Sequence, residues 1–403
     1  MTNQTGSKKY IIEFIMFFSY AFFAVNWIAG SALTTQIMES FHITSFASAT
    51  FITNAITIAK IVGNLFAAWI LVKLLPKKAI LLGSFLIVLG SVLSTVSQTY
   101  LMFVAARFIM GFGGALFVVY FGPVVINYFK PHRRAFVNGL NASAYNIGSI
   151  IALIIVTPII TWLQTWQLSM LFFAGCSAVF LILWWIFGED FDLNKSSADK
   201  DVKKYTFGEA LKERFNYVFP ITYGGLLTLY IVALTIFPLS DDAAIDPKLL
   251  SALMAFAGVV GAAFGILYVK KFTKRLPIMR ISGLLMTISA FIMFTTSNGT
   301  IAIISAIAMG FLMFLPVTAL VTIPQELPKM SPAKLTVIMG IFWAFSYAFQ
   351  TIVYFIIGFI IDGSGYEVGL LVAAFVSLTF FIGSFLLPET GKKVETEGEL
   401  KNE

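Results

Sequence analysis

Runs of about 18 or more mainly apolar residues, the length a helix needs to cross the hydrocarbon of a bilayer, recur along this chain. Twelve are read, at 11–32, 48–72, 79–97, 101–126, 136–160, 167–187, 217–236, 250–269, 278–296, 300–323, 335–361 and 367–387. Lipid offers the backbone no hydrogen-bond partner, so such a run is satisfied only as a helix. The expected fold is an all-α polytopic membrane protein with twelve transmembrane helices. Composition agrees, since 59% hydrophobic and 12% charged residues are too apolar for a soluble fold of 403 residues. Lys8 and Lys9 before the first run, with Ala29-Gly-Ser31 near its end, imitate a secretory signal. Cleavage there would leave an odd number of helices, so the first span is read as retained.

The charge pattern gives the topology. Of the 27 Lys and Arg residues, 24 fall in the termini and the loops after even-numbered spans, Lys248 alone falls in a loop after an odd-numbered span, and Lys60 and Arg107 lie inside spans. By the positive-inside rule both termini are cytoplasmic. The same clustering argues against nucleic acid as the reason for a net charge of +7. A single Cys176 provides no disulfide or metal framework, and no cofactor is expected. With only His42 and His132 and no paired carboxylates inside spans, a membrane enzyme is disfavoured.

The one long polar stretch separates six spans from six. The expected organisation is an N-terminal six-helix bundle at 1–188, a cytoplasmic linker at 189–216 with a short surface helix near 206–215, a C-terminal six-helix bundle at 217–391 and a tail at 392–403. The halves repeat. Ala67 to Lys78 matches Phe264 to Arg275 at an offset of 197, Met110-Gly-Phe112 recurs as Met309-Gly-Phe311 at 199, and Gly188-Glu189 recurs as Pro388-Glu389 at 200. Two pseudo-symmetric bundles follow.

Charged side chains inside a bilayer cost on the order of 3 kcal/mol or more, so they face a cavity or a partner. Thr53, Thr57, Lys60 and Asn64 share one stripe of the second span, and Lys60 is too deep to reach an interface. Arg107 heads Arg107-Phe-Ile-Met-Gly-Phe-Gly-Gly114, whose glycines let a neighbouring helix approach closely. Its guanidinium either ties span four to nearby backbone or grips a carboxylate or phosphate. Asn26 lies at a similar depth on span one. Further polar and aromatic candidates are Asn138, Asn141, Tyr145, Asn146 and Ser149 on span five, Tyr223 and Tyr230 on span seven, and Trp343, Tyr347, Gln350 and Tyr354 on span eleven. Glu13 is the carboxylate clearly inside the N-terminal spans; it either pairs near the cytoplasmic end or carries a coupling proton. Pro316 marks a bend in span ten.

Two halves of six spans, a cytoplasmic linker and short basic loops after spans two and eight resemble the Major Facilitator Superfamily of secondary transporters. Arg107, Gly111 and Gly113 with Ala115 resemble the family's span-four motif; Asn127 to Ala135 with Asn138-Gly139 resembles its four-to-five loop, and Pro388-Glu-Thr390 its ending after span twelve. Two features depart from the pattern. The loop at Val72 to Lys78 has basic residues and no acid, and Ala152-Leu153 stands where antiporters carry Gly-Pro. The resemblance implies alternating access around a site near mid-membrane between the halves.

Two intramembrane cations without acidic partners favour a solute that brings negative charge. The expected function is secondary transport of a small anionic or zwitterionic organic solute (a carboxylate, an organic phosphate or an amino acid), as nutrient uptake by proton symport or exchange. The alternative is efflux of hydrophobic drugs by proton antiport. Lys60, Arg107, Asn26, Thr57, Asn141, Tyr145, Tyr223, Tyr347 and Gln350 are the expected substrate ligands, and Glu13 the proton-coupling group. The expected setting is a monomer in a bacterial inner membrane.

Overall fold

A computed structural model describes residues 5–129, 131–191, 207–241, 243–328 and 332–391. Among them all regular structure is helical: α1 (Thr5–Ala32), α2 (Thr34–Ser40), α3 (Phe46–Ala49), α4 (Phe51–Thr95), α5 (Tyr100–Tyr128), α6 (Pro131–Leu163) and α7 (Trp166–Phe187) in the first half. The second half holds α8 (Phe207–Ala210), α9 (Phe215–Thr235), α10 (Pro247–Lys271), α11 (Leu276–Thr295), α12 (Gly299–Phe314), α13 (Val317–Thr322) and α14 (Pro332–Gly383). Local chemistry sets several starts: Thr99 and Thr165 accept the amides of Met102 and Leu168, and Asp246 accepts that of Lys248 ahead of Pro247. Most of the expected linker, 192–206, and the tail at 392–403 lie outside the described residues; where the surface helix is expected, residues 207–214 form only the four-residue α8 followed by turns before α9 begins.

The expectation of twelve spans meets eleven segments long and apolar enough to cross a membrane, the last being Val337–Gly383 with 47 residues. A straight helix of that length would measure about 70 Å, more than twice the hydrocarbon thickness. It is interrupted at Gly365, where φ is 83° and ψ 172°. The expected spans eleven and twelve are therefore joined by one residue in an extended, left-handed conformation that favours glycine. Spans two and three are joined in the same way inside α4, but at Leu75, with φ 65° and ψ 158°, followed by Pro76. Proline cannot continue the preceding hydrogen-bond ladder and can begin a new one. Span ten breaks between α12 and α13, with Pro316 between them.

The linker-side turns carry the repeat. Asp190, just after α7, accepts the Lys77 amide at 2.9 Å, where the second part of α4 begins. Glu389 accepts the Arg275 and Leu276 amides at 2.6 and 3.1 Å, at the start of α11. Carboxylate and capped residue both recur 199 positions later, close to the offsets seen in sequence. The acid missing from the loop at Val72 to Lys78 is thus supplied from the end of α7. Glu189 beside it accepts from Lys8 and Tyr128. Partial burial alone would raise its pKa, but these hydrogen bonds and the charges of Lys8 and Lys77 outweigh it and hold the carboxyl below its ordinary range.

Within the first half, the glycines after Arg107 face three different partners. A Cβ at Gly111 would stand 2.7 Å from the Ile56 Cα and one at Gly113 2.6 Å from the Gly83 carbonyl oxygen, on the two parts of α4, while one at Gly114 would strike the Phe23 ring of α1. Backbone-to-backbone approach replaces the hydrophobic drive that lipid does not supply. Gly113→Val is expected to lower the unfolding temperature of the purified protein by several degrees, because overpacking typically costs about 1–3 kcal/mol; thermal unfolding in detergent measures this.

Candidate functional site

The two halves meet along two antiparallel seams, α4 against α14 and α6 against α10, with α1 also touching α9. On the first seam the register is legible pair by pair. Asp362 accepts from the Ser45 hydroxyl at 2.7 Å and from the Phe46 and Ala47 amides at the start of α3. A Cβ at Gly358 would stand 2.5 Å from the Thr50 methyl carbon, the Phe51 and Phe355 rings pack edge to face, and the Thr57 and Thr351 hydroxyls bond at 2.7 Å. The next rung is Lys60 against Tyr347. Between described residues, no hydrogen bond, ion pair or ring contact joins α4 to α14 on the linker side of that rung. The second seam is held along its length. Lys248 donates to Thr157 at 3.1 Å, Tyr230 of α9 donates to Asn146 beside it, and a Cβ at Gly139 would stand 3.3 Å from Ile266.

Lys60 lies midway between Phe46 and Leu74, about 21 Å along the helix from either, and is 2% exposed. No Asp or Glu among the described residues pairs with it. Its Nζ donates one long hydrogen bond, 3.4 Å to the Tyr20 hydroxyl. Aromatic faces surround the rest of it. Nζ lies 4.9 Å from the ring centre of Tyr347, 5.0 Å from Trp27, 5.6 Å from Tyr145, 5.7 Å from Phe23 and 5.9 Å from Tyr20. Each such face attracts a cation through its quadrupole, worth roughly 0.5 kcal/mol when exposed and up to about 2 when desolvated. The box draws on α1, α6 and α14, so both halves hold the same charge.

The other expected residues divide. Thr57, Tyr145 and Tyr347 gather at Lys60, and Gln350 sits one turn from Tyr347 on the same face, fully buried, with neither its oxygen nor its nitrogen bonded. The Tyr145 hydroxyl is also unbonded. Tyr223 packs against Phe342 and Trp343, and Trp343 stacks on Tyr347 at 6.2 Å. Asn141, one turn from Tyr145, lies beside Glu13; the amide and both carboxyl oxygens are buried without a hydrogen-bonding contact. Glu13 is 5% exposed and forms no ion pair with a described residue. Asn26 lies elsewhere: its amide donates to the Phe22 and Phe173 carbonyls and to the Ser177 hydroxyl, along the contact of α1 with α7.

Arg107, at the depth of Asn26, is fully buried, and all three guanidinium nitrogens donate to backbone. Nε bonds the Ile52 carbonyl at 3.1 Å, and the two terminal nitrogens bond those of Asn26 and Trp27 at 2.9 Å each. Gly30 makes the room, since a Cβ there would stand 2.7 Å from Nη1. The Ala29-Gly-Ser31 stretch thus packs inside the bundle, with Ser31 hydrogen-bonded to Thr53 at 3.0 Å.

Sequence reasoning missed Tyr20, Phe23 and Trp27. Their signal was an aromatic stripe at helical spacing on α1, which without the fold reads as packing. It also missed Thr351, the partner of Thr57.

Comparison with known proteins agrees with this architecture. The profile of the Major Facilitator Superfamily matches residues 14–350. An uncharacterized protein of Campylobacter jejuni is 29% identical over 269 residues, 64% of this chain and 82% of that protein. One of Mesomycoplasma hyopneumoniae is 28% identical over 240 residues, 55% of this chain and 49% of that protein. Among solved structures, the E. coli xylose transporter XylE in a partially occluded inward-open conformation has a TM-score of 0.75 at 16% identity, covering 96% of this chain and 100% of that one. The E. coli fucose–proton symporter FucP has a TM-score of 0.64 at 16% identity, covering 94% and 99%. With the profile spanning most of its length, the chain belongs to the Major Facilitator Superfamily and is a transporter, not an enzyme.

Proposed function

We propose that this transporter moves a small anionic or zwitterionic organic solute by alternating access, with Lys60 as the group that receives its negative charge. One observation carries the reading: a fully enclosed ammonium at mid-span has five aromatic faces around it and no carboxylate partner among the described residues. An unpaired charge inside a bilayer is costly, and a solute carboxylate or phosphate would complete what the rings only partly offset. Arg107, with every nitrogen on a carbonyl, serves in this reading to position α1, α4 and α5 rather than to hold solute. Thr57, Tyr145, Tyr223, Tyr347, Gln350 and Asn141 line the path, and Asn26 braces it from behind. Glu13 takes the coupling proton: it is buried, unpaired and one helix away from the same polar track. The setting that goes with this reading is nutrient uptake by a monomer in a bacterial inner membrane, both termini cytoplasmic.

A second reading, a neutral sugar, is favoured by the aromatic lining and by the fold shared with the xylose and fucose transporters. Competition for uptake in proteoliposomes separates the two. Carboxylates are expected to compete and xylose is not; competition by xylose alone would give the site to sugars, and competition by amphiphilic cations alone would give it to drug efflux.

Three variants test the assignments. Lys60→Gln is expected to weaken solute binding at least tenfold, about 1.4 kcal/mol, measured by titration calorimetry. Arg107→Lys is expected to lower the unfolding temperature while solute affinity stays within about twofold, because three carbonyls lose a planar partner that an ammonium cannot replace. Glu13→Gln is expected to abolish accumulation driven by a pH gradient and to leave solute exchange across the membrane intact; flux assays in both modes decide it.

A further inference from the structure

The atoms that remain unsatisfied around Lys60 define the rest of the solute. This inference rests on the anion reading above and narrows it.

Among the described residues the middle of the membrane-spanning helices has one cation free for a ligand. Arg107 is committed to three carbonyls, and Lys248 lies at the far end beside Thr157. One cation balances one negative charge, so a dicarboxylate would leave a second carboxylate uncompensated in a buried place. An amino acid would bring an ammonium beside Lys60 with no carboxylate to meet it. What surrounds the anion position instead is neutral and amphoteric. Gln350 offers an unbonded Oε1 and an unbonded Nε2, and the Tyr145 hydroxyl can both give and accept.

Their placement follows from the register. Thr57 opposes Thr351 and Lys60 opposes Tyr347, so Gln350 lies between these rungs, about 5 Å along the helix from Tyr347. The Tyr145 ring is itself part of the box, 5.6 Å from Nζ. Both groups are thus within reach of a short chain whose anionic end rests on Lys60. A hydroxyl donates and accepts at once, which matches an amide's paired oxygen and nitrogen; an alkyl chain would leave both orphaned, at the usual cost of an unmade buried hydrogen bond. The faces of Trp27 and Tyr347 suit the C–H edges between hydroxyls.

We propose that the solute is a polyhydroxylated monoanion of four to six carbons, of the aldonic-acid type, with its carboxylate on Lys60 and its hydroxyls on Gln350 and the Tyr145 hydroxyl. Binding to the purified full-length protein is measured by titration calorimetry with gluconate, hexanoate, succinate, glutamate and xylose as probes. Gluconate is expected to bind at least tenfold more tightly than the other four. Gln350→Leu is expected to lower gluconate affinity at least tenfold and so erase that preference, and Tyr145→Phe, which removes only an oxygen, to reduce it severalfold. Hexanoate, succinate or glutamate binding as tightly as gluconate, with Lys60→Gln still abolishing it, would overturn the hydroxyl assignment and leave the anion reading standing. Xylose equal to gluconate, or no carboxylate bound at all, would overturn both.

Discussion

A guanidinium inside a bilayer has to find acceptors, and where no carboxylate is in reach the backbone must supply them. Arg107 takes three carbonyls, two from successive residues of α1 and one from α4, while its own helix is α5. Hydrogen bonds to a charged group are the stronger kind, and here they act where desolvation makes their loss most costly. Three helices are thereby fixed at one depth. That alignment brings Tyr20, Phe23 and Trp27 of α1 against the Lys60 side of α4, so the aromatic box depends on a residue that bonds the Trp27 backbone rather than Lys60.

The two intramembrane cations solve the same problem by different means. Arg107 has a planar set of donors that carbonyls can satisfy, and it is complete without a ligand. Lys60 has a compact charge, a single long hydrogen bond and rings at the outer range of useful attraction. One is a finished structural joint. The other is an enclosed charge with no ion-pair partner among the described residues, and it sits where both halves contribute.

Much of this was legible in the chain. Apolar runs gave the spans, glycine spacing gave the packing of α5, and Lys60 stood out because its depth puts an interface out of easy reach. The aromatic box was not legible, because Tyr20, Phe23 and Trp27 carry no feature that separates a ring facing a cation from a ring facing lipid. That distinction is made by which helix lies opposite. Nor could sequence say that the Arg107 donors would all find carbonyls, since backbone acceptors leave no residue-type signal. The missing acid of the loop after span two was visible as a departure; its replacement, Asp190, lies more than a hundred residues away and only the fold brings it to the Lys77 amide.

The unequal seams have a mechanical meaning. Where α6 meets α10, ties run from Thr157 and Lys248 to Gly139 and Ile266. Where α4 meets α14, those between described residues run from Asp362 as far as Lys60. Among the described residues the halves are thus joined along the length of one seam and over about half of the other. Lys60 is then the last of these ties, so whatever neutralises it acts where the joined part of the seam ends.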